Sequence, residues 1–356
     1  MMKRRDFVKT STAGVVLASS ALAKHSSAKL NEPIRCGILG LGHAHGMDAL
    51  GVLRNLDEFE VVGYCEPESG IADRYRSAEP MKGLPSLTEE ELLGDPTVQM
   101  VAVESDVPRL LDFAERAVAA GKHIHLDKPA GTSLPRFKKI LDEAKEKNLL
   151  VQMGYMYRYN PGFDLIRRAV NEGWLGQVFS INASMCTDLS KDKRTSIAFH
   201  PRGVMLELGC HLIDMIVLLL GRPNKVTSFI RHDSPIEDNL ADNTLAVFEY
   251  DRAMVKVESN AQETAAFRDR RFKVVGTEGS IILSPLEPPV ATLAFRDPHG
   301  EFPKGVSEKK LPDLDRHILD FQDLAACIRG EKEFAYSKEH DYIVQETILR
   351  ACGVEV

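Results

Sequence analysis

Residues 34–46 read Ile34-Arg35-Cys36-Gly37-Ile38-Leu39-Gly40-Leu41-Gly42-His43-Ala44-His45-Gly46, and this stretch decides the fold. A short apolar run leads into a glycine-rich turn, and a helix-like segment, Met47 to Asn55, follows. Strand, turn and helix in that order are what a dinucleotide-binding unit requires. Gly40 permits the tight turn, and Gly42 has no side chain to block a pyrophosphate. The helix N-terminus then offers unpaired N–H groups to the phosphates. His45 stands where the third glycine of G-x-G-x-x-G falls. His43 and His45 would border the dinucleotide.

The second apolar run, Glu60 to Cys65, ends at Glu66, about twenty residues beyond the turn. A carboxylate there accepts from ribose hydroxyls and repels a 2′-phosphate, which favours NAD over NADP. Alternation then continues. Glu89 to Leu93 reads as helix, Val98 to Val103 as a strand covered on both faces, and Pro108 to Ala120 as a helix stopped by Gly121. His123 to Leu126 is a strand, Pro135 to Asn148 a helix, and Leu149 to Met153 a strand. Such alternation predicts a doubly wound parallel sheet.

With 356 residues the chain suits two domains. A net charge of -7 lacks the basic footprint of nucleic-acid binding, and no apolar run is long enough to span a membrane. Six scattered cysteines without a C-x-x-C pair read as buried free thiols, and no metal site is expected. The first residues read as a signal. Arg4-Arg5-Asp6-Phe7-Val8-Lys9 has the twin-arginine form, a mildly apolar stretch follows, and Ala21-Leu22-Ala23 or Ser26-Ser27-Ala28 offers a cleavage site. Residues 1–28 are therefore expected to direct export of a folded protein by the twin-arginine machinery to the periplasm or another extracytoplasmic space.

Two further stretches carry chemistry. Leu126-Asp127-Lys128-Pro129-Ala130 follows a strand, where an open α/β sheet binds its ligands. A lysine there can polarise a hydroxyl or alkoxide oxygen. In Gly203-Val204-Met205-Leu206-Glu207-Leu208-Gly209-Cys210-His211-Leu212-Ile213-Asp214, the residues Glu207, His211 and Asp214 share one face of an otherwise apolar helix. Such a polar stripe is costly unless paired or used.

These stretches, with Ala120-Gly121-Lys122-His123, resemble in order and spacing the glucose–fructose oxidoreductase / inositol dehydrogenase / rhizopine-catabolism (Gfo/Idh/MocA) family. The resemblance covers nearly everything after the export signal. It implies a Rossmann domain over 33–155, then an α/β domain over 156–356 with an open, mainly antiparallel sheet that often makes a dimer interface. By that resemblance Lys128 matches the lysine of an E-K-P motif, and Glu207 and His211 match the acid and histidine of the helix motif. The histidine is expected to exchange the substrate proton, the lysine to steady the oxygen, and the carboxylate to orient the histidine or hold substrate. Hydride would pass between a carbinol carbon and nicotinamide. The sequence departs from the family at Asp127, at Glu207, at Pro201-Arg202, and at Glu104-Ser105-Asp106, where a T-P-N-like turn near the cofactor is common.

Tyr157 and Arg158, in Tyr155-Met156-Tyr157-Arg158-Tyr159, are expected to border a polyhydroxylated substrate, with Asp214 beside them. Runs at 178–185, 225–231, 244–250, 254–259, 271–275 and 280–283 read as strands. Lys191 to His200 reads as a loop over the active site, with His200 and Arg202 as candidate substrate contacts. Leu314 to Arg329 and His340 to Cys352 read as closing helices. Three functions stay open: an NAD-dependent oxidoreductase of a sugar, cyclitol or polyol; an exported enzyme that keeps its NAD and runs an internal redox cycle (sugar–sugar oxidoreductase, epimerase or glycosidase); and a non-catalytic dinucleotide-binding protein.

Overall fold

The computed structural model describes residues 32–198 and 202–356, so residues 1–28, where an export signal is expected, lie outside the described residues. The first domain alternates β1 (Ile34–Leu39), α1 (His45–Leu53), β2 (Phe59–Cys65), α2 (Ser69–Tyr75), α3 (Glu89–Gly94), β3 (Met100–Val103), α4 (Val107–Ala119), β4 (His123–Leu126), α5 (Leu134–Glu146) and β5 (Val151–Met153). Its five strands are all parallel, in the order β2-β1-β3-β4-β5. The chain leaves β1 toward one edge and returns at β3 toward the other. The crevice beyond the carboxyl ends of β1 and β3 is thus the switch point where such sheets bind ligands.

Local sequence explains these elements. Val107, Leu110, Leu111, Ala114, Ala117 and Val118 of α4 form one buried stripe at helical spacing. Thr88 and Glu91 close a capping box on α3. β3 is buried at every position, as a strand covered on both faces must be.

The second domain opens with a single 3-10 turn at Met156–Tyr159 and α6 (Pro161–Asn171). Asn160 caps α6 through the Gly162 and Phe163 N–H groups, a signal the sequence reading passes over. β6 (Val178–Ser184), α7 (Lys191–Ala198), α8 (Cys210–Leu220), β7 (Lys225–Arg231), β8 (Asn243–Glu249), β9 (Met254–Asn260), α9 (Ala266–Asp269), β10 (Arg271–Gly276), β11 (Gly279–Leu286), β12 (Pro289–Phe295) and β13 (Gly305–Lys310) follow. The eight strands run β13-β12-β11-β10-β6-β9-β8-β7, antiparallel except for β6 beside β9. The sequence reading misses β12, whose run starts on the Pro288-Pro289 pair, and β13, a polar edge strand.

One expectation about the elements needs correction. Lys191–Ala198 is helix rather than loop. His200 lies outside the described residues, and Arg202 is exposed. The chain then closes with α10 (Ile318–Ile328) and α11 (Lys338–Ala351). Phe321, Leu324 and Ala325 of α10 join Ile34, Cys36 and Ile38 in one apolar cluster, so the chain's end packs back on the first sheet. All six cysteines are free, and only Cys327 is partly exposed. Among the described residues no helix is long and apolar enough to cross a membrane.

Candidate active site

The glycine turn forms the floor of the crevice. Gly40 has φ +86°, which favours glycine, and its N–H donates to the Cys65 carbonyl at 2.8 Å. Gly42 is needed for a different reason from the expected one. A Cβ there would lie 2.6 Å from Asp106 Oδ1 and 2.8 Å from Arg109 Nη2. The turn after β3 therefore fills the space that the sequence reading left for a pyrophosphate.

A cleft of about 580 Å³ opens over this turn, lined by Gly42, His43, Ala44 and His45, by Asp106 and Arg109 of the turn and helix after β3, and by Ile197 and Glu207 of the second domain. Arg74 and Tyr75 border its outer end. Arg109 Nη2 is buried without a partner, a cationic N–H that a phosphate oxygen would satisfy. With the N-terminus of α1 beside it, the cleft fits a dinucleotide phosphate. Sequence reasoning missed Arg109. Its only signal is its place one turn into the helix that leaves the switch point.

Glu66 sits elsewhere than expected. Its side chain is fully buried and accepts from the Leu41 N–H at 2.7 Å, the Glu68 N–H at 3.0 Å and Arg109 Nη1 at 3.0 Å. It braces the glycine turn, while the exposed Glu68 carboxylate borders the cleft. Glu104 also turns inward: it is wholly buried, both carboxylate oxygens lack partners, and only its backbone carbonyl meets the turn, accepting from the His43 N–H. Burial, then the Asp127 charge, raises its pKa well above the usual carboxylate range, so it is held as the neutral acid.

At the inner end of the cleft the two domains meet through charge. Lys128, 1% exposed, donates to Glu207 Oε1 at 2.7 Å and to the Glu207 carbonyl at 3.0 Å. Burial works against this lysine's charge, but the Glu207 and Asp127 charges and the hydrogen bond to Glu207 together outweigh it and raise its pKa. Burial likewise opposes the Glu207 carboxylate, yet Lys128 and His43 hold it well below the usual range. His43 lies 2.7 Å from Asp127 through Nδ1 and 3.4 Å from Glu207 through Nε2. Burial would lower its pKa, but Asp127 and Glu207 raise it to about 10. His45 Nδ1 meets the other Asp127 oxygen at 3.0 Å. Asp127 stays ionised against its burial because both histidines face it.

The expected stripe of Glu207, His211 and Asp214 is not one face. Met205–Gly209 forms a π-turn before α8, which re-aims Glu207 toward Lys128. His211 is 2% exposed with its Nδ1 unpartnered, and it packs against Tyr157 with ring centroids 5.6 Å apart. Burial and the nearby Lys128 charge keep it neutral. Asp214 closes on Arg158 at 2.7 Å, and Arg158 also reaches Asp341 at 2.6 Å. His340 adds a contact to Asp214 at 3.2 Å. Tyr157 is buried and donates to Glu287 Oε1 at 3.0 Å. None of Tyr157, Arg158 and Asp214 lines the cleft. All three are buried, Tyr157 on Glu287 and Arg158 on Asp214 and Asp341.

Residues 34–155 match the model of an oxidoreductase family with an NAD-binding Rossmann fold, and residues 163–282 match the GFO/IDH/MocA C-terminal domain. The scyllo-inositol 2-dehydrogenase (NAD(+)) of Bacillus subtilis (strain 168) is 24% identical over 319 residues, covering 85% of this chain and 88% of the relative. The inositol 2-dehydrogenase of Salmonella agona (strain SL483) is 25% identical over 297 residues, covering 82% and 84%. The solved structure of a 3-ketoreductase from Actinomadura kijaniata in complex with TDP-benzene and NADP superposes with a TM-score of 0.72 at 21% identity, covering 90% of this chain and 96% of that one. With both sheets matched by models of one family and with relatives aligned over most of their length, the chain belongs to the Gfo/Idh/MocA oxidoreductases, whose Rossmann domain binds NAD(P).

Proposed function

We propose that this protein is an exported, NAD-dependent dehydrogenase or reductase of a sugar, cyclitol or related polyol. The observation that carries the reading is the Lys128–Glu207 pair, brought together from two domains at the inner end of the cleft headed by the glycine turn. Lys128 has three N–H donors and Glu207 takes two. The third is free to hold a substrate hydroxyl or carbonyl oxygen, and the full charge on the lysine favours the alkoxide. His211, kept neutral, is the base that takes the hydroxyl proton, or returns it in the reverse direction. When bound, the nicotinamide ring accepts or donates the hydride. Arg109 Nη2 and the first turn of α1 hold the phosphates, and Gly42, His43 and His45 line that path. Glu68 puts an exposed carboxylate just after β2 at the border of the cleft, which supports NAD over NADP. The inositol dehydrogenases among the relatives support a polyol substrate.

A second reading rests on Arg4-Arg5-Asp6-Phe7-Val8-Lys9. Outside the cytoplasm free dinucleotide is scarce, so an exported enzyme gains by keeping its NAD and returning the hydride within one cycle. One experiment separates the two. Purified protein is incubated with cyclitols, sugars and glycosides, with and without added NAD. NADH absorbance that grows with added NAD supports the dehydrogenase. Product without net NADH supports the internal cycle. Bound dinucleotide with neither, across the panel, overturns both in favour of a binding protein.

A further inference from the structure

The redox reading gives the His43 and His45 rings no chemical task. Both belong to the glycine turn, where their sequence partners are glycine and alanine, yet both rings turn onto one carboxylate. His43 Nδ1 is 2.7 Å from Asp127 Oδ2, and His45 Nδ1 is 3.0 Å from Asp127 Oδ1. One ligand atom from each of His43, His45 and Asp127 lies within 4.8 Å of the other two. Asp127 is 2% exposed, and its Oδ2 accepts no well-formed hydrogen bond although a ring nitrogen is close. Beside them Glu207 Oε2 is also buried and unpartnered. Ordinary ion pairing needs one imidazole per carboxylate. Two imidazoles and a carboxylate converging from one side, with buried acceptor atoms left over, are a ligand set.

We propose that His43, His45 and Asp127 bind one divalent first-row transition ion, with zinc as the test case. Two nitrogens and one oxygen are the three protein ligands of an open site, which leaves a further position for water or a ligand oxygen. His43 and His45 line the cleft, so that position faces it. A substrate hydroxyl or a phosphate oxygen would complete the coordination there. The Lys128 N–H donates to Asp127 Oδ1 at 2.8 Å and fixes the carboxylate's orientation. Ligand distances of about 2.0–2.2 Å require the His43 and Asp127 atoms to separate by roughly half an ångström. A surface turn and one side chain can absorb that.

The proposal goes beyond the redox reading and stands without it, because its test needs neither dinucleotide nor substrate. Tag-free protein is stripped with EDTA and titrated with zinc chloride by calorimetry, and the cobalt form is read by its visible d–d bands. One equivalent per chain is expected, with a rise in thermal midpoint on zinc addition. The His43→Ala/His45→Ala variant, altered only on a partly exposed turn, should keep its circular dichroism and lose at least about 30-fold in zinc affinity. Single His45→Gln should lose roughly 10-fold and provides the check if the double variant folds poorly. No stoichiometric uptake would overturn the site. So would equal affinity in the variants, which would move any bound ion to the wholly buried His125, His317 and Asp320 cluster.

Discussion

Lys128 carries a full charge where water barely reaches, and one carboxylate keeps it there. Removing one partner of a buried pair leaves the other uncompensated, which costs about 3–5 kcal/mol. Lys128→Met should therefore lower stability by about 3 kcal/mol in urea unfolding, with His43 still near Glu207 to soften the loss. Lys128→Met/Glu207→Leu should recover most of that stability but none of the turnover. Recovery of turnover would remove Lys128 from the chemistry. His211→Ala should abolish turnover while unfolding in the same cooperative transition. Normal rates in that variant would remove His211 from its role as base.

The same cluster sets a pH dependence whose sign follows from linkage. The pKa of His43 is raised in the folded state from 6.5 to about 10. Its contribution is fully present below about pH 6.5 and is lost as pH rises through 10. Those of Glu207 and Asp127 are depressed, so their contribution is present above the usual carboxylate range and is lost on acidification. Stability should therefore be greatest at about pH 5–6.5. In EDTA-stripped, metal-free protein, His43→Asn, which cannot take a proton, should flatten the alkaline limb measured by thermal melts across pH. An unchanged alkaline limb would mean that His43 is not protonated in the folded protein.

At the scale of elements, the glycine turn and the π-turn do the positioning. Gly40 combines φ +86° with Ser105 Cβ only 2.9 Å from where its own Cβ would be. Gly40→Ala should cost about 1–3 kcal/mol, measured by urea unfolding. The π-turn places Glu207 one residue out of α-helical register with α8. Deleting Leu208 should restore a regular helix, break the Lys128–Glu207 pair and abolish turnover, with helix content in circular dichroism nearly unchanged. Retained turnover would show that the π-turn does not aim Glu207. This turn was not legible in the sequence. Met205-Leu206-Glu207-Leu208-Gly209 has ordinary helical apolarity, and a π-turn is stabilised by contacts on its sides rather than by its own residues. The parallel strands and their helices were legible because burial on both faces and one-sided stripes leave periodic marks. β12 and β13 left none.

The whole molecule is joined by its end. α10 packs Phe321 on the first sheet and carries His317 and Asp320 to His125, a long-range meeting with no local signature. On the second sheet, Phe229, Val247, Met254 and Ile282 lie on the face turned away from the buried core, and Phe229 and Met254 are 52% and 65% exposed. An apolar stripe on an open sheet suits association with a second copy. Light scattering should give a dimer, and Phe229→Asp/Val247→Asp should give a folded monomer. A monomeric native protein would refute this.

The sequence by itself determined the strand–turn–helix opening, the parallel alternation and the antiparallel second half, and it proposed Lys128, Glu207 and His211 as the chemical set. Each rests on local periodicity or on an order of motifs along the chain. Only the tertiary structure decided which charges meet. It gave Glu66 to Leu41 and Arg109, Arg158 and Asp214 to each other, and Asp127 to two histidines at once. A buried charge takes whatever partner the packing of distant elements brings within about 3 Å, and no spacing along the chain records that distance.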